Sequence, residues 1–349
     1  MRKLTLLGIF TFSILGCSEG SIETNQIETN IYNSIAEIDG LELIIIEPNE
    51  NYNLRTIHFV DNNTGFVGGY KGKLLKTIDG GISWSELETN TETNFFGIDF
   101  IDNKKGFVVG AAGNCLENGC NPFSAVMLKT LDGGVTWEKV SLNLNKKTEL
   151  HSVHFVNNSI GFAIGNSSII RTTNGGISWE EQSFDNTGGI MGKIDFNGTQ
   201  NGMVICNGGI ILSTTNGGNS WQINSTLSGS GTISISLTQD NIAYVSANNA
   251  IFKSIDFGNS WVKLINSATD HFDINFKTKN LGFAVGRGNY SGGDFGYDYG
   301  SISYTTNGGE NWAGNKNIVE TGSFNQSSFP SENIGYIVSS KKIVKIKIK

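Results

Sequence analysis

The chain has 349 residues, with 45 glycines, 3 prolines and a formal net charge of −7. This length exceeds one ordinary small domain, and many glycines beside few prolines indicate short strands joined by tight turns. Beyond the first sixteen residues, no long stretch has the 3.6-residue apolar period of a helix. An acidic chain of this kind is not expected to bind nucleic acid.

The N-terminus has the features of a secretory signal over residues 1–16. Two basic residues precede an apolar run that is too short to span a membrane. The run ends in ILGC, which resembles the bacterial lipobox, and the resemblance implies that Cys17 is lipidated and becomes the mature N-terminus. A plain signal peptide with an incidental cysteine is the alternative. Cleavage removes Arg2 and Lys3 and changes the net charge from −7 to −9.

The next segment, residues 17–40, is polar and shows no convincing strand or helix pattern. We therefore predict a lipidated cysteine followed by a flexible tether, which at about 20 residues spans roughly 25 Å. The folded part, residues 41–349, is then held close to a membrane of the bacterial cell envelope, either in the periplasm or at the surface. Residues 41–47 (LELIIIE) form the one strong strand candidate before the repeats begin.

An octapeptide ending in tryptophan recurs six times and accounts for every tryptophan of the chain. The tryptophans follow one another at spacings of 53, 42, 42, 40 and 51 residues, so the period is near 42 with two insertions. The copies are TIDGGISW (77–84), TLDGGVTW (130–137), TTNGGISW (172–179), TTNGGNSW (214–221), SIDFGNSW (254–261) and TTNGGENW (305–312).

A second repeating column lies upstream of each octapeptide, where an aromatic or apolar residue is followed seven positions later by another. There are seven such pairs: Phe59/Phe66, Phe100/Phe107, Phe155/Phe162, Phe196/Met203, Leu237/Tyr244, Phe276/Phe283 and Phe329/Tyr336. Each unit resolves into four short strands, except the last, which has three. The sequence therefore predicts an all-β fold, a seven-bladed β-propeller with four-stranded blades. The strand at 41–47 completes the last blade by pairing with 343–348.

The octapeptide resembles the Asp-box, or BNR repeat, known from sialidases and from many non-enzymatic propellers. Its third residue is Asp in three copies and Asn in the other three. A turn-forming acceptor of backbone N–H groups tolerates that exchange, whereas a nucleophile, general acid or metal ligand does not. We assign a structural role to the acidic or amide residue and the tryptophan of each box: Asp79, Trp84, Asp132, Trp137, Asn174, Trp179, Asn216, Trp221, Asp256, Trp261, Asn307 and Trp312.

The boxes join strands three and four and therefore open on one face of the propeller, which we call the box face. Two insertions, 110–125 and 286–300, join strands two and three and open on the opposite, box-free face. A binding site is expected there, because variable loops commonly carry function. An ordinary solvated loop remains the alternative for 286–300. The candidate binding residues are Arg55, His151, His271, Arg287, Tyr290, Tyr297 and Tyr299.

The resemblance to sialidases can be tested against their catalytic set. Such enzymes clamp a carboxylate with three arginines and use a Tyr–Glu pair. After Cys17 the chain has only three arginines, and Arg171 holds a repeat position that is lysine in other units. Arg55 lacks the Arg-Ile-Pro context, since Thr and Ile follow it. A sialidase triad cannot be assembled from these residues.

Neither a cofactor nor a metal site is predicted. Cys115 and Cys120, in a Gly/Asn-rich loop, are expected to form a disulfide in an oxidising compartment, with metal binding as the weaker alternative. Calcium binding by Asp294 and Asp298 has only generic spacing. One polar residue per unit precedes the first aromatic column, and hydrogen bonding between blades is favoured there over a metal or catalytic ring. These residues are His58, Asp99, His154, Asp195, Ser236, Asn275 and Ser328.

The whole repeat, (I/V)xFxxxxxGFxxG followed by (K/R)TxDGGxSW, is similar to propellers of the photosystem II stability/assembly factor-like family. In photosynthetic members the resemblance implies a non-enzymatic assembly factor that binds a client protein through a basic patch. This chain is acidic and arginine-poor, so only the fold and a binding role are expected to carry over. We predict a lipid-anchored propeller that binds a protein or glycan on its box-free face. A glycan-active hydrolase or lyase, and a structural component of an envelope complex, are the alternatives.

Overall fold

The computed structural model describes residues 34–38, 40–48, 52–113, 115–116, 119–120, 124–144, 148–166, 168–182, 191–227, 231–247, 249–266, 269–288, 299–318 and 321–349. Within these residues the chain forms β-strands and a single three-residue 3₁₀ turn, Asn207–Gly209. The all-β prediction is confirmed. The predicted signal peptide and Cys17 lie outside the described residues, as do Tyr290 and Tyr297.

The strands follow one another with short connections. The first half of the chain contains β1 (Ser34–Ile38), β2 (Leu41–Ile46), β3 (Leu54–Phe59), β4 (Gly65–Gly69), β5 (Leu74–Thr77), β6 (Ser85–Glu86), β7 (Asn94–Phe100), β8 (Gly106–Ala112), β9 (Cys115–Leu116), β10 (Gly119–Cys120), β11 (Ser124–Thr130), β12 (Glu138–Lys139), β13 (Leu150–Phe155), β14 (Gly161–Gly165), β15 (Ser168–Thr172) and β16 (Glu180–Gln182). The second half contains β17 (Met191–Asn197), β18 (Asn201–Cys206), β19 (Ile210–Thr214), β20 (Gln222–Thr226), β21 (Thr232–Leu237), β22 (Ala243–Ala247), β23 (Ala250–Ser254), β24 (Val262–Asn266), β25 (Asp270–Phe276), β26 (Gly282–Arg287), β27 (Gly300–Thr305), β28 (Ala313–Ile318), β29 (Phe324–Ser328), β30 (Ile334–Ser339) and β31 (Ile343–Ile348).

These strands build seven antiparallel blades, as predicted. Blades 1 to 6 are the sheets β3–β6, β7–β8–β11–β12, β13–β16, β17–β20, β21–β24 and β25–β28. The small β9–β10 hairpin lies in the insertion between the second and third strands of blade 2. The first strands of successive blades contact one another in a closed ring, with β29 of the last blade against β3 of the first. The first strand of each blade therefore lines the central channel.

The seventh blade joins the two ends of the described chain. Its sheet has the order β1–β2–β31–β30–β29. β2 pairs antiparallel with β31, from Leu41 opposite Ile348 to Ile46 opposite Ile343. Leu41 and Leu43 are buried between blades 6 and 7. A shift of one residue would turn both side chains to the opposite face of the sheet, so their burial fixes the register of the β2–β31 pair. The predicted closure by residues 41–47 is confirmed.

The end of the predicted tether differs from the structure. Residues 34–38 form β1, a fifth strand on the outer edge of the last blade, and its backbone pairs with β2 in a tight antiparallel hairpin. Gly40 makes the turn at φ +94°, a conformation that other residues rarely adopt. This strand, SIAEI, is hard to recognise because it is short, has no regular alternation of apolar and polar residues, and lies at a sheet edge where backbone pairing alone can hold it. Glu37 of this strand, which is exposed, contacts the Lys349 ammonium.

Aromatic stacking joins neighbouring blades around the ring. The first-column aromatic of each blade lies face to face with the second-column aromatic of the preceding blade, and Phe59 stacks on Tyr336 at 3.4 Å between ring centroids. This contact joins the first blade to the last. Met203 and Leu237 replace the pair between blades 4 and 5 and pack in one cluster. The other stacked pairs are Phe66–Phe100, Phe107–Phe155, Phe162–Phe196, Tyr244–Phe276 and Phe283–Phe329.

Each box forms a closed turn held by its own side chains. In the first, Asp79 Oδ1 accepts from the Thr77 hydroxyl at 2.8 Å and from the Ser83 N–H at 2.9 Å, while Thr77 Oγ1 accepts from the Gly81 N–H at 2.9 Å. Trp84 is buried and packs edge-on against Phe59 of its own blade, with ring centroids 5.9 Å apart. The box thus connects the end of strand three to the aromatic column.

The Asn-containing boxes make the same turn. Asn174 Oδ1 accepts from the Thr172 hydroxyl at 2.9 Å and from the Ser178 N–H at 3.0 Å. Its Nδ2 group donates to Ser178 Oγ at 2.8 Å, where Asp79 instead accepts from a serine hydroxyl. The hydroxyl can donate or accept, so either residue closes the turn. This geometry is the physical reason for the Asp/Asn exchange.

The boxes also bind to the preceding blade. Lys76 of blade 1 donates to the carbonyl of Gly133 in the next box at 2.7 Å, and Lys345 of blade 7 donates to Gly80 at 2.9 Å. Gly176 has φ +81°, and a Cβ there would lie 2.3 Å from the Phe107 ring of the preceding blade. Glycine is required at this position because the turn packs directly against the stacked rings. Each box is therefore a fastener between blades.

Asp132 provides a test of the turn. Burial raises the pKa of its carboxyl, but hydrogen bonds from Thr136 and Thr130 outweigh burial and hold it at about 2. We expect Asp132→Asn to retain nearly full stability at pH 7, because Asn closes the same turn elsewhere. Asp132→Ala should lower the free energy of unfolding by about 1–2 kcal/mol, because the turn loses its acceptor. Denaturant unfolding of the three proteins measures both effects.

The same series has a defined pH dependence. The folded-state pKa of Asp132 lies below its unfolded value, so its ionised form stabilises the fold above about pH 4, and this contribution is lost as the pH falls towards 2. The native chain should therefore lose its stability advantage over Asp132→Ala as the pH falls from 5 to about 2. Asp132→Asn has no carboxyl to protonate at this position, so its advantage over Asp132→Ala should not change with this titration. A difference that is constant or that grows on acidification would contradict the assignment.

Candidate functional site

The first strand of every blade carries a β-bulge at the same place. The register shifts once in each, between Leu54 and Thr56 in blade 1 and at the equivalent position in the others. A bulge turns the extra residue out of the pleat and is frequently used to direct a side chain into a site. The seven bulged residues, one per blade, are Arg55, Phe96, His151, Gly192, Ile233, Phe272 and Asn325.

All seven bulged residues line one cavity, and we call them the bulge ring. The cavity has a volume of about 530 Å³ and lies on the channel axis at the box-free end. Its position follows from the topology, since the first strands begin at that end and the boxes lie at the other. The ring is mainly apolar and aromatic, and Gly192 leaves a gap in its wall. A cavity of this size and lining suits a peptide side chain or a short chain segment.

Three blades contribute a compact aromatic cluster to the rim of the cavity. The Phe96 ring stacks on the His151 imidazole with centroids 5.5 Å apart, and the Arg55 guanidinium lies 5.6 Å from the Phe96 centroid. Tyr70, which is 38% exposed, meets Phe96 edge-on. Arg55 makes no ion pair among the described residues, so its charge is available to a ligand. The cluster combines flat apolar faces with one cationic group, as binding hot spots often do.

A buried ion pair crosses the channel below the bulge ring. Asp273 of blade 6 is 3% exposed at its side chain and accepts from Lys193 Nζ of blade 4 at 2.7 Å. The same carboxylate accepts from Ser234 Oγ of blade 5 at 2.8 Å and from the Ser327 N–H and hydroxyl of blade 7 at 2.9 and 2.7 Å. Four blades therefore meet at one carboxylate. We call this arrangement the axial bridge, and it forms the floor of the cavity.

Below the bridge, a second cavity of about 410 Å³ opens towards the box face and is lined by the predicted polar column. Several column residues accept from the backbone N–H of the next blade's first aromatic: Asp99 from Phe155 at 2.6 Å and Ser328 from Phe59 at 2.9 Å. Burial lowers the pKa of His58, an effect that Asp99, 3.5 Å away, opposes. The column thus makes the hydrogen bonds between blades that the sequence favoured.

The structure separates the predicted binding residues into groups. Arg55 and His151 belong to the bulge ring. Arg287 is exposed at the end of β26, on the box-free side, and pairs with Asp270. Tyr299 lies half-buried at the base of the 286–300 insertion, where its carbonyl accepts from the Gly288 N–H at 2.7 Å. Tyr290 and Tyr297 fall outside the described residues and stay predictions.

His271 does not reach the cavity, contrary to expectation. Its side chain is fully buried inside blade 6, with Nε2 3.5 Å from Ser303 Oγ. Burial lowers its pKa to about 4, so it is neutral at physiological pH. The bulge between His271 and Asp273 is the cause, because it turns the adjacent Phe272 towards the cavity and His271 into the sheet.

Sequence reasoning missed five members of the bulge ring, and the two residues of the axial bridge. The ring does have a sequence signal, because each member lies four residues before the first-column aromatic of its unit. The residue type at this position differs among blades, so only its spacing from the first column identifies a member of the bulge ring. Lys193 and Asp273 have no such signal, since the fold brings them together from blades 4 and 6.

Two predicted features can be placed only in part. The β9–β10 pairing sets Cys115 opposite Cys120 along the backbone, but their side chains lie outside the description and the disulfide stays a prediction. Cys206 is buried in the hydrophobic core beside blade 4 residues such as Val204 and Leu212. Among the described residues there is no group of three or more His, Cys, Asp or Glu side chains able to hold a metal ion. None of the helical structure in this described part is long and apolar enough to cross a membrane.

The repeats match a family model over most of the chain. Residues 28–119 and 129–290 match the model described as Photosynthesis system II assembly factor YCF48. The chain belongs to this family. No curated protein matches it.

Solved structures with the same fold include members of this family and an enzyme. A structure titled "YCF48 bound to D1 peptide" has a TM-score of 0.69 and 20% identity, covering 90% of this chain and 100% of the other. YCF48 from Cyanidioschyzon merolae has a TM-score of 0.67 and 17% identity over 87% of this chain and 98% of its own. The Niastella koreensis GH74 enzyme has a TM-score of 0.63 and 15% identity over 84% of this chain and 52% of its own. Identities this low establish the shared fold alone.

The axial bridge should contribute strongly to stability. We expect Asp273→Ala to lower the free energy of unfolding by about 3–5 kcal/mol, because it leaves Lys193 and two serines without their buried acceptor. Thermal and denaturant unfolding measure the loss. The control is Asp240→Ala, which removes an exposed carboxylate 3.9 Å from Lys279 and should change stability little. Equal stability of the two variants would show that the bridge does not hold the blades together.

Proposed function

We propose that this chain is a non-enzymatic propeller, lipid-anchored in the bacterial cell envelope, that binds a segment of a protein partner in the cavity bounded by the bulge ring. The observation that carries the proposal is the bulge ring itself. Seven equivalent backbone irregularities turn seven residues of six different types towards one cavity on the box-free face. A scaffold that needed only to close its blades would not require this variety at one position.

A protein segment is the ligand that the site favours. Phe96, Phe272 and Ile233 offer apolar contact, and Arg55 offers one cation at the rim. The YCF48 structure with a D1 peptide supports a peptide as ligand in this family. Photosystem assembly itself is not proposed for this chain, because the bulge ring holds a single arginine where a basic patch would be expected. A glycan stacked on the aromatic cluster is the competing ligand.

The anchor in the proposal comes from the sequence. The apolar run of residues 1–16 and the lipobox-like ILGC support export and lipidation at Cys17. Residues 18–33 then connect the lipid to β1. An exported protein on such a tether remains within reach of partners at the same membrane, which fits a role in assembly there.

The alternative is a glycan-active hydrolase or lyase, since the GH74 enzyme shares the fold. Glycosidases generally use two carboxylates about 5–9 Å apart across the scissile bond. Asp273 is the one acidic side chain among the described residues that line the bulge-ring cavity, and four donors already occupy it. This arrangement favours binding over hydrolysis. Turnover of xyloglucan that is lost in Asp273→Asn, with the fold retained, would support the enzyme instead.

Two substitutions in the aromatic cluster test partner binding. The intact chain is immobilised and exposed to a detergent extract of the producing bacterium's envelope, and retained proteins are quantified by mass spectrometry. We expect Phe96→Ala and Arg55→Ala each to reduce retention of a discrete partner about tenfold, as is usual for a hot-spot residue. Ile223→Ala is the control, because Ile223 lies on the outer strand of blade 4 and is 49% exposed.

The competing outcomes are separable. Retention that is the same in the native chain and in both cluster variants would contradict a site at the bulge ring. Binding of the native chain to a glycan array, lost in Phe96→Ala and with no protein retained, would replace the protein partner by a glycan.

A further inference from the structure

The box face exposes an unusual set of aliphatic side chains. Six of the nine exposed large hydrophobic residues in the described part of the chain belong to boxes, with exposures between 59% and 78%. They are Ile78, Ile82, Leu131, Val135, Ile177 and Ile255. Single exposed hydrophobic residues are ordinary, but a set confined to one face and one loop type indicates an interaction surface.

The fastening role of the box does not explain these residues. They occupy its second and sixth positions, whereas the turn is closed by the first, third, fifth, seventh and eighth. The third and fourth boxes, TTNGGISW and TTNGGNSW, differ only at the sixth position, where Ile177 is replaced by Asn219. Both boxes share the hydrogen bonds that close the turn, and Asn219 adds one of its own by donating from Nδ2 to the Asn216 carbonyl at 2.6 Å. An aliphatic residue at the sixth position is therefore not needed to close the turn.

Five of the six aliphatic residues lie on three consecutive blades. Blades 1 to 3 carry what we call the box patch, which consists of Ile78, Ile82, Leu131, Val135 and Ile177. The boxes adjoin one another, since Lys76 of blade 1 bonds to the box of blade 2. Blades 4 and 6 have polar residues at the same positions: Thr215, Asn219, Thr306 and Glu310. Blade 5, between them, has one aliphatic residue, Ile255, and one polar residue, Asn259, so the aliphatic side chains of this face are concentrated on blades 1 to 3.

We propose that the box patch rests in the interface of the lipid bilayer that carries the anchor. This inference rests on the lipid anchor of the proposed function. The patch contains aliphatic side chains only, without the tryptophan, tyrosine or arginine that dominate protein–protein hot spots. Its members stand on three separate loops, which suits a fluid surface because no matching shape is needed. Apolar area buried in the bilayer interface adds to the membrane affinity that a lipid anchor provides.

Charge on this side of the propeller is mixed, so the apolar side chains and not a basic patch would carry contact with a membrane. The boxes, the neighbouring turns and the ends of the third strands in blades 1 to 3 carry five basic and four acidic side chains. They are Lys76, Lys104, Lys105, Lys129, Arg171, Asp61, Asp79, Asp102 and Asp132. Glu138 and Glu180, the first residues after the tryptophans of the second and third boxes, lie opposite Lys129 and Arg171 in the strand pairs. The charges on this side therefore nearly cancel, and the box patch offers a membrane apolar contact rather than electrostatic attraction.

The tether is long enough for this orientation. β1 begins at Ser34 on the box-free side of blade 7, beside blade 1. The chain from Cys17 must cross the height of one blade, about 17 Å for a five-residue strand. A flexible segment of this length spans roughly 20–25 Å on average and about 55 Å when extended. The box face can therefore lie on the bilayer, and the bulge ring then points away from it towards a partner.

Lipid contact can be measured on the intact lipidated chain, reconstituted into vesicles of phosphatidylethanolamine and phosphatidylglycerol with or without brominated acyl chains. Bromine quenches tryptophan emission at short range, and Trp84, Trp137 and Trp179 lie two residues from Ile82, Val135 and Ile177. The polar variant combines I78T, I82N, L131T, V135N and I177N, which copy the residues of the fourth box. We expect quenching in the native chain to exceed that in the polar variant by roughly twofold or more.

The controls separate this inference from the proposed function. Both proteins keep all six tryptophans, and equal melting temperatures would confirm equal folding. The single variant I177N, which converts the third box into the sequence of the fourth, should lie between them. Co-sedimentation of the native chain with the vesicles, lost in Cys17→Ser, verifies the anchor. Native and polar chains that sediment alike and are quenched alike would overturn the membrane contact alone, whereas a native chain that fails to sediment would overturn the anchor with it.

Discussion

Face-to-face stacking between neighbouring blades is the contact on which this structure depends. Every blade places one aromatic or apolar residue on the corresponding residue of the preceding blade, and Phe59 on Tyr336 closes the circle. Because the first-column residue and the bulge lie four residues apart on the same first strand, stacking also fixes the height of each bulge along the channel. The box then locks the pair, since its tryptophan meets one ring edge-on and its glycine lies against the other.

A repeated scaffold of this kind leaves a few positions free in each unit. The bulged residue varies from arginine to glycine to phenylalanine without disturbing the stack, because it points into the channel. The second and sixth box residues vary from isoleucine to glutamate, because they point outwards from the other face. Neither set belongs to the stacked column or to the turn-closing hydrogen bonds that all boxes share, although single members contact the neighbouring blade, as Phe96 contacts His151 and Asn219 contacts Arg171. The residues at these positions can therefore differ among blades, and they determine which ligands each face of this chain can contact.

The fold could be predicted nearly completely from the sequence, because its determinants repeat. Six tryptophans in register and seven pairs of aromatic or apolar residues fix the number of blades, and LELIIIE is recognisable as the closing strand by its apolar content. The edge strand at 34–38 has no comparable pattern and was missed. The candidate site was predicted less well: Arg55 and His151 line the bulge-ring cavity, and their binding role stays a prediction, whereas His271 is buried because a bulge reverses which neighbour faces the channel. The alternation of apolar and polar residues in a single unit does not reveal a bulge. The Lys193–Asp273 bridge could not be predicted either, because its partners come from different blades and meet only in the folded ring.

We propose that the box face holds the blades together and contacts the membrane, whereas the box-free face binds the partner. A photo-crosslinking phenylalanine analogue at position 96, in the bulge ring, and in a second protein at position 177, on the box face, tests both halves in living cells. We expect the analogue at position 96 to capture a discrete envelope protein and the analogue at position 177 to capture lipid. Capture of that protein from position 177, with none from position 96, would contradict it.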